Sequence, residues 1–301
     1  MPKPSSSSPI ILLVDNGSKK SAARAQLIKL AEQLSQRTSQ TIHPVSLQHA
    51  DVVLYDFLKD QIQNKQTNDE KAGKPQFLLL PLFFGKSRAL TTFIPDTHAA
   101  LEKELGPFDL TVADTLFPLP AVGDVAVDVD GRLADIMIEN IESLIASSLL
   151  STASSSATKN IVLVDHGSPD PQITQVRNEV AKQVQAHLGT PIAQAAMERR
   201  EGTQYDFNGE LLEDWLLDKA KQGADGGRDE NRDKNNAMVA LLFALPGRHA
   251  GVGGDIENIC QSVMQRYPNF KIITTPLVGE HPLLLEILAD RLNAQLLLTR
   301  S

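Results

Sequence analysis

The chain has 301 residues, is 42% hydrophobic and carries a formal net charge of -8, which suits two cores of ordinary domain size. That acidity argues against a nucleic-acid binder, which would present a basic face. A single cysteine, Cys260, excludes a disulfide framework and cysteine-only metal sites, and weakly suits a reducing compartment. No apolar run approaches the roughly 20 residues of a membrane helix. The first nine residues lack both a secretory h-region and an Arg-rich transit pattern. The expected location is the cytoplasm, and an organelle stroma is also compatible with the sequence.

In chain order, the first half reads as alternating strand and helix. Strands are expected at 10–14, 42–47, 77–84 and 110–113, with helices at 21–37, 52–62, 94–105 and 133–149. The second half repeats the order, with strands at 161–164, 191–197, 238–245 and 271–274. Its helices are expected at 173–188, 211–221, 256–266 and 283–292. Such alternation implies right-handed crossovers and parallel sheets. The expected fold is α/β: two similar open parallel-sheet domains with helices on both faces, at 1–146 and 160–301, related by a pseudo-twofold. The Ser-rich stretch 147–159 reads as a flexible linker. Segments 63–76 and 223–236 are polar and charged and read as loops. The 12 extra residues of the second half are expected in that last interval.

The halves are copies. Ile11-Leu12-Leu13-Val14-Asp15-Asn16-Gly17-Ser18 returns as Ile161-Val162-Leu163-Val164-Asp165-His166-Gly167-Ser168, an offset of 150. At the same offset Gln48 corresponds to Glu198. At an offset of 162, Gly85-Lys86-Ser87 corresponds to Gly247-Arg248-His249, and Phe93-Ile94 to Asp255-Ile256. So His166, Glu198 and His249 in one copy stand against Asn16, Gln48 and Ser87 in the other. Each follows a strand, and in an open parallel sheet the carboxyl ends of the strands form the ligand crevice. Two imidazoles and a carboxylate suit Fe2+, Co2+, Ni2+ or Zn2+, and neutral imidazole also accepts protons. The two rings should then lie within about 10 Å of each other.

Taken singly, a histidine after a strand is more often a cap or loop residue than a ligand, and a glutamate there is usually solvated or a helix partner. Three at equivalent strand ends, all replaced together in the sister copy, argue for one shared site. The Gly-Ser pairs present in both halves suit a tight turn and a helix-entry cap. His43, His49, His98 and His187 are expected on the surface, and His281 at the start of the last helix. Arg199, Arg200 and Arg248 beside the site suggest an anionic ligand, since guanidinium pairs with carboxylates in bidentate fashion. For Arg200, ion pairing with Glu201 or Glu198 is the competing expectation.

Val164-Asp165-His166-Gly167-Ser168, Met197-Glu198, Pro246-Gly247-Arg248-His249-Ala250-Gly251 and Asp255-Ile256 resemble the motifs of the small sirohydrochlorin chelatases, the cobalto- and ferrochelatase type. Thr275-Pro276-Leu277-Val278-Gly279 with Pro282-Leu283-Leu284 is similar to the family's closing segment. The second half matches along most of its length, the first in pattern only. The resemblance implies a class II chelatase fold and ATP-independent insertion of Co2+ or Fe2+ into sirohydrochlorin or a related tetrapyrrole. It implies that His166 and His249 bind the metal and accept pyrrole protons, and that Glu198 completes the metal site or moves protons. Arg199, Arg248 and Ser168 are the candidate substrate-binding residues. No permanently bound cofactor is expected, the divalent metal being a substrate. The absence of a Gly-rich phosphate loop agrees with an ATP-independent reaction. The stretch after Glu198, Arg199-Arg200-Glu201-Gly202-Thr203, departs from the family's usual continuation.

The expected partner is a small-molecule tetrapyrrole, with neither nucleic acid nor membrane; a homodimer is compatible with the sequence. The rival to a metal-inserting lyase is a non-catalytic metal or tetrapyrrole carrier derived from a chelatase. A hydrolase using Ser168 with His166 ranks last, because no G-x-S-x-G elbow exists.

Overall fold

Short apolar runs such as Ile11-Leu12-Leu13-Val14 and Ile161-Val162-Leu163-Val164 are buried on both faces, as strands of parallel sheets must be. In the computed structural model, residues 8–68, 73–119, 130–147, 160–225 and 235–298 are described. The 148–159 part of the Ser-rich stretch, most of 226–236, and 69–72 lie outside them. The elements of the first copy are β1 (Ile10–Asp15), α1 (Ser21–Thr38), β2 (Ile42–Ser46), α2 (Leu54–Asn68), β3 (Gln76–Pro81), α3 (Ile94–Leu105), β4 (Asp109–Val112) and α4 (Arg132–Ala146). Those of the second are β5 (Ile161–Asp165), α5 (Pro171–Leu188), β6 (Ile192–Ala196), β7 (Glu210–Leu211), α6 (Leu212–Asp225), β8 (Asn236–Leu241), α7 (Asp255–Arg266), β9 (Lys271–Thr274) and α8 (Pro282–Leu298). No helix among the described residues is long and apolar enough to cross a membrane.

Two parallel sheets form, with strand orders β2-β1-β3-β4 and β7-β6-β5-β8-β9. Side chains alternate between sheet faces. In the first sheet Leu12, Val14 and Leu79 meet Leu54, Leu58 and Ile62 of α2 and Ile94 and Leu101 of α3, while α1 packs on β1 and β2 from elsewhere on the sheet. In the second, Val162, Val164 and Val239 meet Leu212 and Leu216 of α6 and Ile256, Cys260 and Val263 of α7. Burial there pushes the Cys260 thiol up to about 12, so this lone cysteine stays a neutral packing group. Segment 63–76 is not wholly loop, because α2 continues to Asn68; its Gln and Asn residues sustain a helix whose apolar stripe has ended.

The compact units do not follow the repeat. Residues up to Pro118 and those from Leu285 onward form one unit, and Leu119–Leu284 the other. Thus α4, last helix of the first copy, packs on α5 and β8, and most of α8 belongs with the first sheet, where the Arg291 Nε–H donates to the Thr115 carbonyl at 3.1 Å. The linear division at 146 and 160 misses this exchange. An apolar stripe such as Leu133, Met137 and Ile141 demands burial but does not encode which sheet supplies it.

Register also relocates the 12 extra residues. Ser46 bridges Val53, whereas Ala196 pairs with Leu211, so the offset has already grown from 150 to 158 before α6. Eight residues are gained there, in an interval that holds a six-residue 3-10 segment, Thr203–Asn208. Strand β3 matches β8 at 160, since Ile11 pairs with Leu78 and Ile161 with Met238. The last two enter the turn before α7. Only two of the 12 therefore fall between α6 and β8, where all were expected.

Candidate functional site

The site grows from the turn after β5. The Met197 amide donates to the Asp165 carbonyl at 2.8 Å and the Glu198 amide to the His166 carbonyl at 3.2 Å, so His166 and Glu198 leave adjacent strands side by side. Gly167 makes this possible. Its φ is +87°, and a Cβ there would collide with the Glu198 carbonyl oxygen. Gly17 repeats both features against Gln48, which confirms that Gln48 is the counterpart of Glu198.

The third pairing needs correction. His249 corresponds to Ala89, not Ser87. At the strand offset of 160 the two align, and each carbonyl accepts from the first apolar residue of the next helix, Ile256 to His249 and Ile94 to Ala89. The first copy spans this turn as a π-helix, Ala89–Phe93. The second spans it with two more residues and with Gly251 and Gly253 at positive φ. The 162 offset belongs to the helices and misleads if carried back into the turn.

The expected convergence of the histidines is present. Nε2 of His166 lies 3.1 Å from Nε2 of His249, with ring centroids 4.2 Å apart and planes at 76°. Glu198 Oε1 lies 3.3 Å from His166 Nε2. Nδ1 of His166 faces the Gly167 carbonyl at 2.9 Å, and Nδ1 of His249 faces Asp255 Oδ2 at 2.8 Å. Both acceptors call for a proton on Nδ1. The tautomers so assigned leave an unshared pair on each of two Nε2 atoms 3.1 Å apart. Two lone pairs this close repel, and a cation bound by both removes the repulsion. Two ligands about 2.1 Å from one ion and 90–110° apart are themselves about 3.0–3.4 Å apart, which matches both the 3.1 and the 3.3 Å contacts. Among the described residues, no group of three or more His, Cys, Asp or Glu side chains forms a ready metal cage. The imidazole pair is therefore the preset element, with Glu198 beside one of its members.

Asp255 is the residue that sequence reasoning passed over, although its replacement by Phe93 in the first copy was a visible signal. As the acceptor from the His249 Nδ1–H it fixes ring orientation and raises the basicity of Nε2. Asp255→Asn is expected to weaken Co2+ binding about 10–100-fold in a spectrophotometric titration, with unchanged helical content.

The arginines are partly committed elsewhere. Arg199 pairs with Asp206 at 3.1 Å and reaches the Gly209 carbonyl at 3.4 Å. Arg200 stands over the Tyr205 ring at 6.0 Å, and no ion pair to Glu198 or Glu201 accompanies it. Arg248 is largely exposed and lies 3.7 Å from Asp255. Ser168 Oγ accepts the Asp170 amide at 3.0 Å, and Asp170 caps α5 through the Gln172 amide. Ser168→Ala should then cost about 1 kcal/mol in a thermal melt. Of the other histidines, His43 and His98 are half-buried against Phe57 and Phe108 rather than free on the surface. His281 caps α8 through Leu283 and meets Glu139 at 3.2 Å.

Beneath the turn lies Asp165, whose carboxyl is pushed above the usual aspartate range by burial, against the opposing pull of Arg177, the Gly167 amide and His166. Asp15 is likewise pushed up by burial, against Ser46, the Gly17 amide and Arg24.

Among curated proteins, none matches the sequence. Three solved structures share the fold along nearly the whole chain. SirB from Bacillus subtilis with Fe3+ superposes with a TM-score of 0.65 at 12% identity, covering 95% of this chain and 94% of that one. The sirohydrochlorin chelatase SirB from Bacillus subtilis subspecies spizizenii, in complex with cobalt, gives 0.62 at 13%, covering 94% and 93%. CbiX, the terminal enzyme for biosynthesis of siroheme in denitrifying bacteria, gives 0.57 at 14%, covering 95% and 98%. The family model CbiX matches residues 160–295, the stretch that holds His166, Glu198 and His249. The chain is thus similar to the CbiX chelatases through residues 160–295, and its two parallel-sheet α/β domains resemble those of the class II chelatase structures.

Proposed function

We propose that this chain inserts a divalent transition-metal ion, Co2+ or Fe2+, into sirohydrochlorin or a closely related tetrapyrrole without nucleotide hydrolysis, in the formation of cobalamin or siroheme. The observation that carries this reading is the 3.1 Å approach of the two Nε2 atoms, each on a ring whose other nitrogen is tied to an acceptor. The pair takes up the ion as a substrate, through two Nε2 atoms that already lie side by side. Glu198 adds negative charge beside it and, being half-exposed, exchanges protons with solvent.

Insertion replaces two pyrrole N–H protons by one M2+. As the ion passes to the ring nitrogens, each Nε2 regains a free lone pair and accepts one of those protons. Two imidazoles thus balance two protons, and the positive charge lost with the ion returns with them. Arg248 and Arg200, and Arg199 where it is not held by Asp206, supply cations for substrate carboxylates. Two of the similar structures hold Fe3+ or cobalt, which supports a transition metal of this class without choosing between them.

An open pair of imidazoles suits an ion that must be released. It suits a carrier less, since storage favours a closed cage. The deciding experiment mixes the chain with excess sirohydrochlorin and Co2+ and follows the tetrapyrrole absorbance. Product beyond one equivalent per chain is expected. Conversion that stops at one equivalent identifies a carrier.

A further inference from the structure

We infer that Arg177 and Asn208 are positioning residues for the His166 turn, and that the eight residues gained before β7 exist in part to deliver Asn208. This rests on the proposed role of His166 at the metal. Both side chains are buried, Arg177 at 2% and Asn208 at 0% relative exposure, and neither touches the imidazoles. Asn208 holds the backbone of Ser168 from both sides: its Oδ1 accepts the Ser168 amide at 2.9 Å, and its Nδ2 donates to the Ser168 carbonyl at 2.8 Å. Arg177 ties that clamp to the strand. Its Nη2 donates to the Asn208 carbonyl at 2.8 Å, and its Nη1 to Asp165 Oδ1 at 2.9 Å. The same Oδ1 accepts the Gly167 amide at 3.1 Å. Residues on both sides of His166 are therefore fixed by one network running from α5 through the added segment.

The first copy shows what the strand and turn need on their own. There Leu27 stands where Arg177 does, and Ser46 where Ala196 does, and Ser46 Oγ donates to Asp15 Oδ1 at 2.5 Å. The turn has the same shape, with φ of +90° at Gly17 against +87° at Gly167. A buried aspartate at the strand end thus folds without an arginine hydrogen-bonded to it: Arg24 donates to the Pro44 carbonyl and acts on Asp15 only as a nearby charge. In the second copy the pair is kept even though Asp165 Oδ2 and Arg177 Nε find no partner among the described residues. Buried ion pairs are often no more stable than their apolar replacements, so stability alone gives little reason to exchange Leu and Ser for Arg and Ala. The exchange accompanies Asn16 becoming His166, in the copy that carries the paired imidazoles.

The test grafts the first copy's solution onto the second. R177L/A196S removes the guanidinium and gives Asp165 the hydroxyl that Asp15 has. N208D keeps the acceptor for the Ser168 amide and loses the donor, and serves as a second probe if the double variant does not fold. For both variants, with H166A as control, the measurements are Co2+ affinity by visible absorption, kcat and KM for insertion into sirohydrochlorin, and the thermal melt. The expected result is a cooperative melt, Co2+ affinity lowered about 10–100-fold as for other outer partners of a metal ligand, and a lower kcat with KM for the tetrapyrrole unchanged. Parental Co2+ affinity and kcat in both variants, with affinity lost in H166A, would overturn the positioning role alone. Parental Co2+ affinity in H166A as well would overturn the reading of the site itself.

Discussion

His166→Ala and His249→Ala each lower the rate of Co2+ insertion by about 10²–10⁴-fold, the range that a positioned proton acceptor contributes. Both also lose tight Co2+ binding. The two losses are equal in kind because the rings act on the same ion. Their Nε2 atoms lie 3.1 Å apart, and loss of either leaves a single imidazole that water can replace. Asn16→Ala, the same position in the first copy, leaves the rate near that of the parent. An assay of multiple-turnover insertion, with each variant's melt as a folding control, checks all three. An equal loss in Asn16→Ala would mean that the first copy shares the chemistry, and the division between the two copies would then be wrong.

Gly167→Ala has the next largest effect, and its twin Gly17→Ala separates its causes. At φ of +87° a Cβ costs about 1–3 kcal/mol of backbone strain. The same Cβ also meets the Glu198 carbonyl oxygen, so the end of β6 has to move. A total of about 3 kcal/mol or more is expected, visible as a drop in Tm of about 6–12 °C for a unit of this size. Gly17→Ala meets the Gln48 carbonyl in the same way at φ of +90° and should destabilise by a similar amount. Only Gly167→Ala, however, displaces Glu198 and His166 together, so only it should weaken Co2+ binding among the chains that remain folded. Comparable Co2+ affinity in the two variants would show that the turn after β5 does not set the site.

The internal repeat made much of this legible in the order of residues alone. Strand and helix order followed from apolar periodicity, and the two parallel sheets from their alternation. His166 and Glu198 stood out because the strands bearing them align without gaps at an offset of 150, and the backbone contacts of Gly17 and Gly167 show why the alignment is sound. His249 was recognised with the wrong counterpart. An added residue pair in a turn leaves the flanking helix in register at 162 and the strand at 160, and sequence matching follows whichever flank is better preserved.

Asp255, Arg177 and Asn208 were harder to see. Asp255 reads as a helix-start acid, which is where acids usually sit. Arg177 occurs in a Gln-rich helix that also carries Lys182, and nothing in the pattern marks one cation as 2% exposed. Asn208 belongs to a segment with no counterpart in the first copy, so comparison of the halves passes over it. The exchange of α4 and α8 between units was illegible for a different reason. Their apolar stripes say only that burial is required, and either sheet satisfies them.

Cobalt-edge X-ray absorption of the Co2+-loaded full chain tests most directly whether the two imidazoles grip one ion. The expected spectrum shows scattering from two imidazole rings with nitrogen at about 2.1 Å, falling to one ring in His166→Ala and in His249→Ala. A parent spectrum without imidazole scattering, or two rings persisting in either variant, would contradict the site described.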